Sequence, residues 1–181
     1  MEIQLVTGDL LKQQDCDGIV NSANRELLPG AGVSGAIHRA AGPQLYAWAK
    51  AHGPIKLTQA VVSPGYDLPN RWIIHVAAPH YFEDALPHDA LARAIRAVLD
   101  QARIQGIYRI AMPGLSIGIY RFPVEEAAMV TAQTLSAEAH RTRPSLIRLV
   151  FLDAEITTHY EEAIKNTDAQ IAKSRSPSIK C

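Results

Sequence analysis

Two glycine-rich loops are the parts of this sequence whose residue types and spacing could bind an anion. The first is PGAGVSG, residues 29–35, and the second is GLSIGIY, residues 114–120. Each precedes a predicted helix, and the first N–H groups of a helix have no intrahelical partner. Glycine also lets a phosphate approach the backbone closely. Two such loops at one sheet edge could hold a pyrophosphate, whereas either loop alone could be only a tight connection.

The elements that must position these loops alternate along the chain. The hydrophobic pattern predicts strands and helices, and in the longest helix Leu91, Ile95 and Leu99 repeat at helical spacing. Strands separated by helices predict an α/β sheet with helices on both faces, and ligands of such sheets lie beyond the carboxyl ends of the strands. The predicted strands are 3–7, 18–20, 60–62, 72–76, 107–112 and 145–152, and the predicted helices are 36–41, 87–103, 157–165 and one that begins at Pro123.

Composition limits the classes of function. The 181 residues suit one domain, and equal numbers of acidic and basic residues provide no overall positive field for nucleic acid. An anion must therefore be held by local geometry. Two cysteines, Cys16 and Cys181, and the absence of a signal-like or membrane-spanning run predict a cytoplasmic protein without a membrane partner. The seven scattered histidines indicate no metal site, and no cofactor is expected.

Further segments accompany the loops in a specific order. They are Gly8-Asp9-Leu10, DGIVNSAN (17–24), GAGVSGAIHRAAG (30–42), WIIH (72–75) and GLSIGIYRFP (114–123). Together they resemble the macrodomain family over residues 1–165, with residues 166–181 left as a polar, flexible tail. The resemblance implies a three-layer α/β/α fold with a mixed central sheet. It also implies recognition of ADP-ribose, either free or linked to a protein.

The resemblance assigns ligand-binding roles along the sequence. Asp9, followed by Leu10, would accept a hydrogen bond from the adenine amino group, unless it only caps a turn. Asn24 would contact the distal ribose, whereas Asn21 would bond to the backbone within its own loop. Leu152 stands where many members have an aromatic residue against adenine, with Phe151 facing the opposite side. The phosphates would be held by two sets of residues, Gly30, Gly32, Val33 and Ser34 in the first loop and Ser116, Ile117, Gly118, Ile119 and Tyr120 in the second.

One departure from the family concerns catalysis. The chain resembles the MacroD-like branch, which includes O-acetyl-ADP-ribose deacetylases, but Ser34 replaces the aspartate of its hydrolytic members. A serine hydroxyl is not basic near neutral pH without a partner base. Pro29 also replaces the histidine that precedes the glycines in some viral members. The main prediction is therefore an ADP-ribose-binding module.

The alternative is a hydrolase of ADP-ribosyl esters on proteins or of O-acetyl-ADP-ribose, with Asn24 and Ser34 as candidate catalytic residues. Asn24 would orient the substrate, and the substrate's own phosphate could act as the base. His38 and His75 are interpreted as structural, although His38 lies one helical turn after Ser34 and could face the loop. A third reading, an RNA-binding protein, is disfavoured by zero net charge and the lack of a basic and aromatic strip.

Overall fold

Six strands form one mixed sheet in the computed structural model, which describes residues 1–175. Their order across the sheet is β1-β6-β5-β2-β4-β3. All neighbouring strands are parallel except β3, which is antiparallel to β4. The α/β class and the mixed sheet are as the sequence predicted. The strands are β1 (Glu2–Thr7), β2 (Gly18–Ala23), β3 (Ala60–Pro64), β4 (Trp72–Ala77), β5 (Arg109–Pro113) and β6 (Leu146–Phe151).

Helices cover both faces of the sheet and give the predicted three layers. They are α1 (Val33–Ala41), α2 (Pro43–His52), α3 (Pro87–Ile104), α4 (Val124–Ala137) and α5 (Ala154–Arg175). Successive strand residues point to opposite faces, so Val20 joins the core beneath α3, α4 and α5, and Ile19 joins the core beneath α1 and α2. Within residues 1–175, no helix is long and apolar enough to cross a membrane.

The helix α2 was not predicted from the sequence. Gly42-Pro43 was interpreted as the end of a helix, and it is also the beginning of the next one. Gly42, with φ of 82°, ends α1 and precedes α2, and Pro43 occupies the first turn of α2. Only Leu45 and Ala49 of α2 are buried, so the apolar stripe of this helix is too narrow to show clearly in the sequence.

The last helix is longer than the sequence predicted. The prediction covered residues 157–165, but α5 runs from Ala154 to Arg175, so residues 166–175 are helical rather than part of a flexible tail. Thr167 is buried, and its hydroxyl donates to the Ala163 carbonyl at 2.8 Å, while Ile164 packs against the core. Packing of this face therefore extends the helix. Residues 176–181, including Cys181, lie outside the described residues.

The sheet brings the two glycine-rich loops together. Strand β2 ends at Ala23, six residues before the first loop begins at Pro29, and β5 ends at Pro113, immediately before the second loop. The two strands are parallel neighbours, with Gly18 opposite Ile110. Because neighbouring parallel strands end at the same edge of the sheet, both loops lie at that edge.

Candidate functional site

A cavity of about 130 Å³ opens between the two loops. Nine of its lining residues were predicted to bind ligand, and three others, Ser22, Ala31 and Gly114, were not. Ala31 and Gly114 belong to the two glycine-rich loops, whereas Ser22 lies in β2, and the pairing of β2 with β5 brings it to the cavity. The nine predicted residues are Asn24, Gly30, Gly32, Val33, Ser34, Ser116, Gly118, Ile119 and Tyr120.

The first loop leads directly into the N-terminus of α1. Gly32 precedes the helix with φ of 67°, in the left-handed region that favours glycine, and no side chain caps the helix. The first helical hydrogen bond is from the Ala36 N–H to the Gly32 carbonyl at 3.1 Å. The preceding N–H groups, those of Val33, Ser34 and Gly35, have no intrahelical acceptor and carry the positive end of the helix dipole. This geometry suits an anion.

Asn24 shapes the entrance to the first loop. Its side-chain Nδ2 donates to the Leu28 carbonyl at 2.8 Å, and its Oδ1 accepts from the Leu28 N–H at 3.2 Å. The turn between them holds Leu27 at φ of 61°, fully buried. A primary amide has a second N–H and a second lone pair, so Asn24 can hold the loop and still bind a ligand in the cavity.

Ser34 is connected to a buried polar chain beneath the cavity. The Asn21 amide nitrogen lies 3.5 Å from Ser34 Oγ and 3.1 Å from His75 Nδ1, and His75 Nε2 lies 2.9 Å from Ser63 Oγ. Asn21 was predicted to bond to the backbone within its own loop, but its amide nitrogen contacts these two side chains. Burial lowers the pKa of His75 to about 3, so its imidazole is neutral. Asn21 and His75 are opposite each other on neighbouring strands, which explains their contact.

The second loop has a strained backbone. Ser116 has φ of 67°, and its N–H approaches Ser22 Oγ at 3.5 Å. Its carbonyl accepts from the Phe122 N–H at 3.0 Å, and Phe122 is buried in the core. Ser116 Oγ is itself buried, with no partner among the described residues. A non-glycine residue held at positive φ with an unpaired hydroxyl is a strained position of the kind found at ligand sites.

Tyr120 closes the cavity at the far end of the second loop. Its ring lies beside that of His80, with centroids 5.5 Å apart, and burial raises the pKa of its phenol. Ile119 is exposed beside it, whereas Ile117 turns inward to pack against the core. Tyr120 therefore lines the cavity, whereas Ile117, which was predicted to bind ligand, does not.

Comparison with known proteins agrees with this geometry. The model of the Macro domain family matches residues 20–131. The chain belongs to the macrodomain family. An uncharacterised protein of Fusobacterium nucleatum is 40% identical over 166 residues, which cover 90% of this chain and 94% of that protein.

Two further relatives bear on the macrodomain site. ADP-ribose glycohydrolase MACROD2 of Xenopus laevis is 36% identical, over 83% of this chain and 36% of the relative. A glycine-to-valine mutant of the Oceanobacillus iheyensis macrodomain, solved with ADPR, superposes with a TM-score of 0.88 at 30% identity, over 92% of this chain and 94% of that one.

Three residues that were predicted to bind ligand, Asp9, Leu10 and Leu152, do not line the cavity of this macrodomain. Asp9 caps the short 3-10 turn Leu10–Lys12 by accepting from the Leu11 N–H at 2.9 Å. Leu10 is buried in the core, and Leu152 is 84% exposed at the end of β6. Phe151 faces the core, 4.3 Å from the Tyr160 ring. Since β1 and β6 continue the sheet beyond β5, these residues extend the edge on which the loops lie.

The two histidines of interest are both buried and do not line the macrodomain cavity. His38 is buried, with its Nε2 3.1 Å from the Leu27 carbonyl oxygen, and burial lowers its pKa. It faces a second cavity shared with Arg39, Gly42 and Tyr46. His75 lies in the central sheet. Among residues 1–175, no group of three or more His, Cys, Asp and Glu residues could hold a metal ion.

Proposed function

We propose that this macrodomain binds ADP-ribose, either free or linked to a protein. The observation that carries the proposal is the cavity between two loops, one of which presents the uncapped N-terminus of α1. Backbone N–H groups and a helix dipole bind phosphate without a cationic surface, which suits a chain of zero net charge. The pyrophosphate would lie between the loops.

The rest of the ligand has suitable neighbours on either side. The distal ribose would contact Asn24 and pack under the Tyr120 ring at one end of the cavity. Adenine would extend along the carboxyl ends of β6 and β1, toward Leu152 and the second carboxylate oxygen of Asp9. The likeness to the O. iheyensis macrodomain solved with ADPR supports ADP-ribose as the ligand. An exposed leucine would give adenine apolar contact with weaker stacking than an aromatic ring.

Isothermal titration calorimetry with ADP-ribose, ADP and AMP tests the proposal. We expect affinity to fall in that order, because ADP lacks the distal ribose and AMP also lacks the second phosphate. The variant Asn24→Ala should bind ADP-ribose about tenfold more weakly, because a hydrogen bond to the ribose and the loop geometry are both lost. The exposed Asn166 on α5 offers the control Asn166→Ala, which should bind normally. Absence of ADP-ribose binding by the wild-type protein would refute the proposal.

A second candidate function is hydrolysis of ADP-ribosyl esters on proteins or of O-acetyl-ADP-ribose. The relative named ADP-ribose glycohydrolase favours it. Among the described residues that line the cavity, however, none is Asp, Glu or His, so water would have to be activated by the substrate's own phosphate. Product formation from O-acetyl-ADP-ribose and from a mono-ADP-ribosylated acidic protein distinguishes the two functions. Turnover by the wild-type protein that Asn24→Ala abolishes would establish hydrolase activity. Binding without turnover would show that the domain only binds ADP-ribose.

We also propose a cytoplasmic location. Cys16 is a buried free thiol, which is typical of proteins in a reducing compartment. Localisation of a tagged full-length chain by fluorescence microscopy tests this proposal, and export of the chain from the cytoplasm would refute it.

A further inference from the structure

The buried chain of Ser34, Asn21, His75 and Ser63 is more extensive than ligand binding by backbone N–H groups requires. Asn21 and His75 are fully buried, Ser63 is fully buried, and Ser34 is 4% exposed where it meets the cavity. These four polar side chains are removed from water and hydrogen-bond to one another, although Asn21 Oδ1 has no partner among the described residues. Buried polar groups are costly unless they are hydrogen-bonded, so the direction of each hydrogen bond matters.

The proton directions can be worked out from the far end of the chain. The Ser63 hydroxyl donates to the Pro64 carbonyl at 3.0 Å, and a carbonyl can only accept. Ser63 Oγ must therefore accept from His75 Nε2, so Nε2 carries the imidazole proton. A neutral imidazole has one donor and one acceptor, so His75 Nδ1 accepts. The group that faces Nδ1 must be the NH₂ of Asn21, which lies 3.1 Å away.

This order leaves the Ser34 hydroxyl with one available role. The second N–H of the Asn21 amide is directed at Ser34 Oγ, which therefore accepts. In the part of the chain that the structure describes, no acceptor receives the Ser34 proton. The hydroxyl is at the second residue of α1, beside the unpaired N–H groups of the helix N-terminus. A hydroxyl donor in the first turn of an uncapped helix suits a phosphate oxygen.

We propose that Asn21 and His75 act as a positioning pair that holds the Ser34 hydroxyl as a hydrogen-bond donor to a phosphate oxygen of the ligand. This inference rests on the proposed ADP-ribose binding and adds a role for three side chains. It also means that Ser34 is not a nucleophile, because the chain beneath it supplies a hydrogen-bond donor and no base to take its proton. Any ester hydrolysis in this cavity then proceeds without activation of Ser34.

A double-mutant cycle measured by calorimetry tests the positioning pair. Ser34→Ala should weaken ADP-ribose binding about tenfold, the effect of one hydrogen bond to a charged group. His75→Leu, which removes the acceptor for Asn21, should weaken binding about fivefold when Ser34 is present and less than about twofold when residue 34 is alanine. A merely structural role for His75 would produce the same loss in both backgrounds and would overturn the proposal.

A conservative variant tests whether an acceptor at residue 75 is sufficient, and a shorter ligand tests whether the coupling involves the phosphates. His75→Asn places an acceptor oxygen near the position of Nδ1 and should retain affinity within about twofold of wild type. ADP, which keeps both phosphates, should show the same coupling as ADP-ribose, and coupling confined to ADP-ribose would overturn the assignment to phosphate. Wild-type protein that fails to bind ADP-ribose would refute the proposed function itself, whereas normal binding with an additive cycle would refute only the positioning pair.

A spectroscopic measurement on the wild-type protein tests the tautomer directly. Two-bond ¹H–¹⁵N correlations of the ¹⁵N-labelled protein report the tautomer of each histidine, and the signal that is missing from the spectrum of His75→Asn belongs to His75. The expected form is the neutral Nε2–H tautomer. An Nδ1–H tautomer would overturn the proposal, because Nδ1 could not then accept from Asn21.

Discussion

The two loops line one cavity, but different forces hold them in shape. The first loop is fixed by close backbone packing, since a Cβ at Gly35 would overlap with the carbonyl oxygen of Gly30. The second is fixed by buried apolar anchors at Leu115 and Phe122, which hold Ser116 at positive φ. The first loop therefore packs a glycine against backbone. The second loop packs Gly114 only against the side chains of Ile117 and Phe151, and it forces a strained conformation on Ser116.

The loops also differ in which residue carries the unfavourable free energy of forming the site. In the second loop a Cβ at Gly118 would meet no atom within 4 Å, so this glycine is not required by packing. The unfavourable free energy arises instead at Ser116, whose buried hydroxyl has no partner among the described residues. A ligand that hydrogen-bonds to this hydroxyl would offset part of that free energy.

The largest expected effect is that of adding one methyl group to a glycine in each loop. Gly35→Ala should lower the free energy of unfolding by about 3 kcal/mol, because the Gly30 carbonyl is backbone and cannot move aside. The matched variant Gly118→Ala should change it by less than about 0.5 kcal/mol. Urea denaturation of both variants measures the difference. Equal losses of stability in the two variants would contradict the conclusion that packing requires Gly35 but not Gly118.

The next effect concerns the buried histidine under the first loop. His75 has a folded-state pKa of about 3 and an unfolded value of 6.5, so between these values the unfolded chain binds a proton that the folded chain does not. This contribution to stability is complete above pH 6.5 and is lost as pH falls toward 3, by about 1.4 kcal/mol per pH unit. Burial lowers the pKa of His38 in the same direction. Urea denaturation at pH 7, 6 and 5 should show a smaller slope for His75→Asn than for wild type, and identical slopes would contradict this role.

The strain in the second loop predicts a stabilising substitution. Ser116→Gly should raise the free energy of unfolding by about 1 kcal/mol, because it relieves the positive φ and removes an unpaired buried hydroxyl. Arg121→Gly is the control, since Arg121 also has positive φ, 55°, but is exposed, and its gain should be smaller. Thermal or urea denaturation measures both. A loss of stability in Ser116→Gly would contradict the conclusion that Ser116 is a strained residue.

The smallest effect is expected at the Tyr120 hydroxyl. If the ring, rather than the hydroxyl, packs over the ligand, Tyr120→Phe should retain ADP-ribose affinity within about twofold, whereas Tyr120→Ala should lose about tenfold. Calorimetry with both variants decides this point. A large loss in Tyr120→Phe would instead indicate a direct hydrogen bond from the phenol.

The sequence predicted every strand of the sheet and both loops, because each strand is a short apolar run bounded by turn residues. Its two errors in the helices have different causes, one local and one tertiary. The signal that ends α1 coincides with the signal that begins α2 at Gly42-Pro43, and α5 continues past the predicted boundary because Thr167 and Ile164 pack against the rest of the fold. For the site, the sequence identified both loops and Asn24 but assigned no ligand-binding role to Ser22, Ala31 or Gly114.

By itself, then, the sequence determined which segments form strands and which loops could bind phosphate, since these properties depend on neighbours a few residues apart. The tertiary structure alone decided which polar side chains meet. Asn21, Ser34 and His75 are distant in the sequence and come together only because β2 pairs with β4 in one register, with Asn21 opposite His75. A shift of that register by one residue would turn each side chain to the other face of the sheet. The role of Ser34 as a donor or as a nucleophile is decided by that pairing.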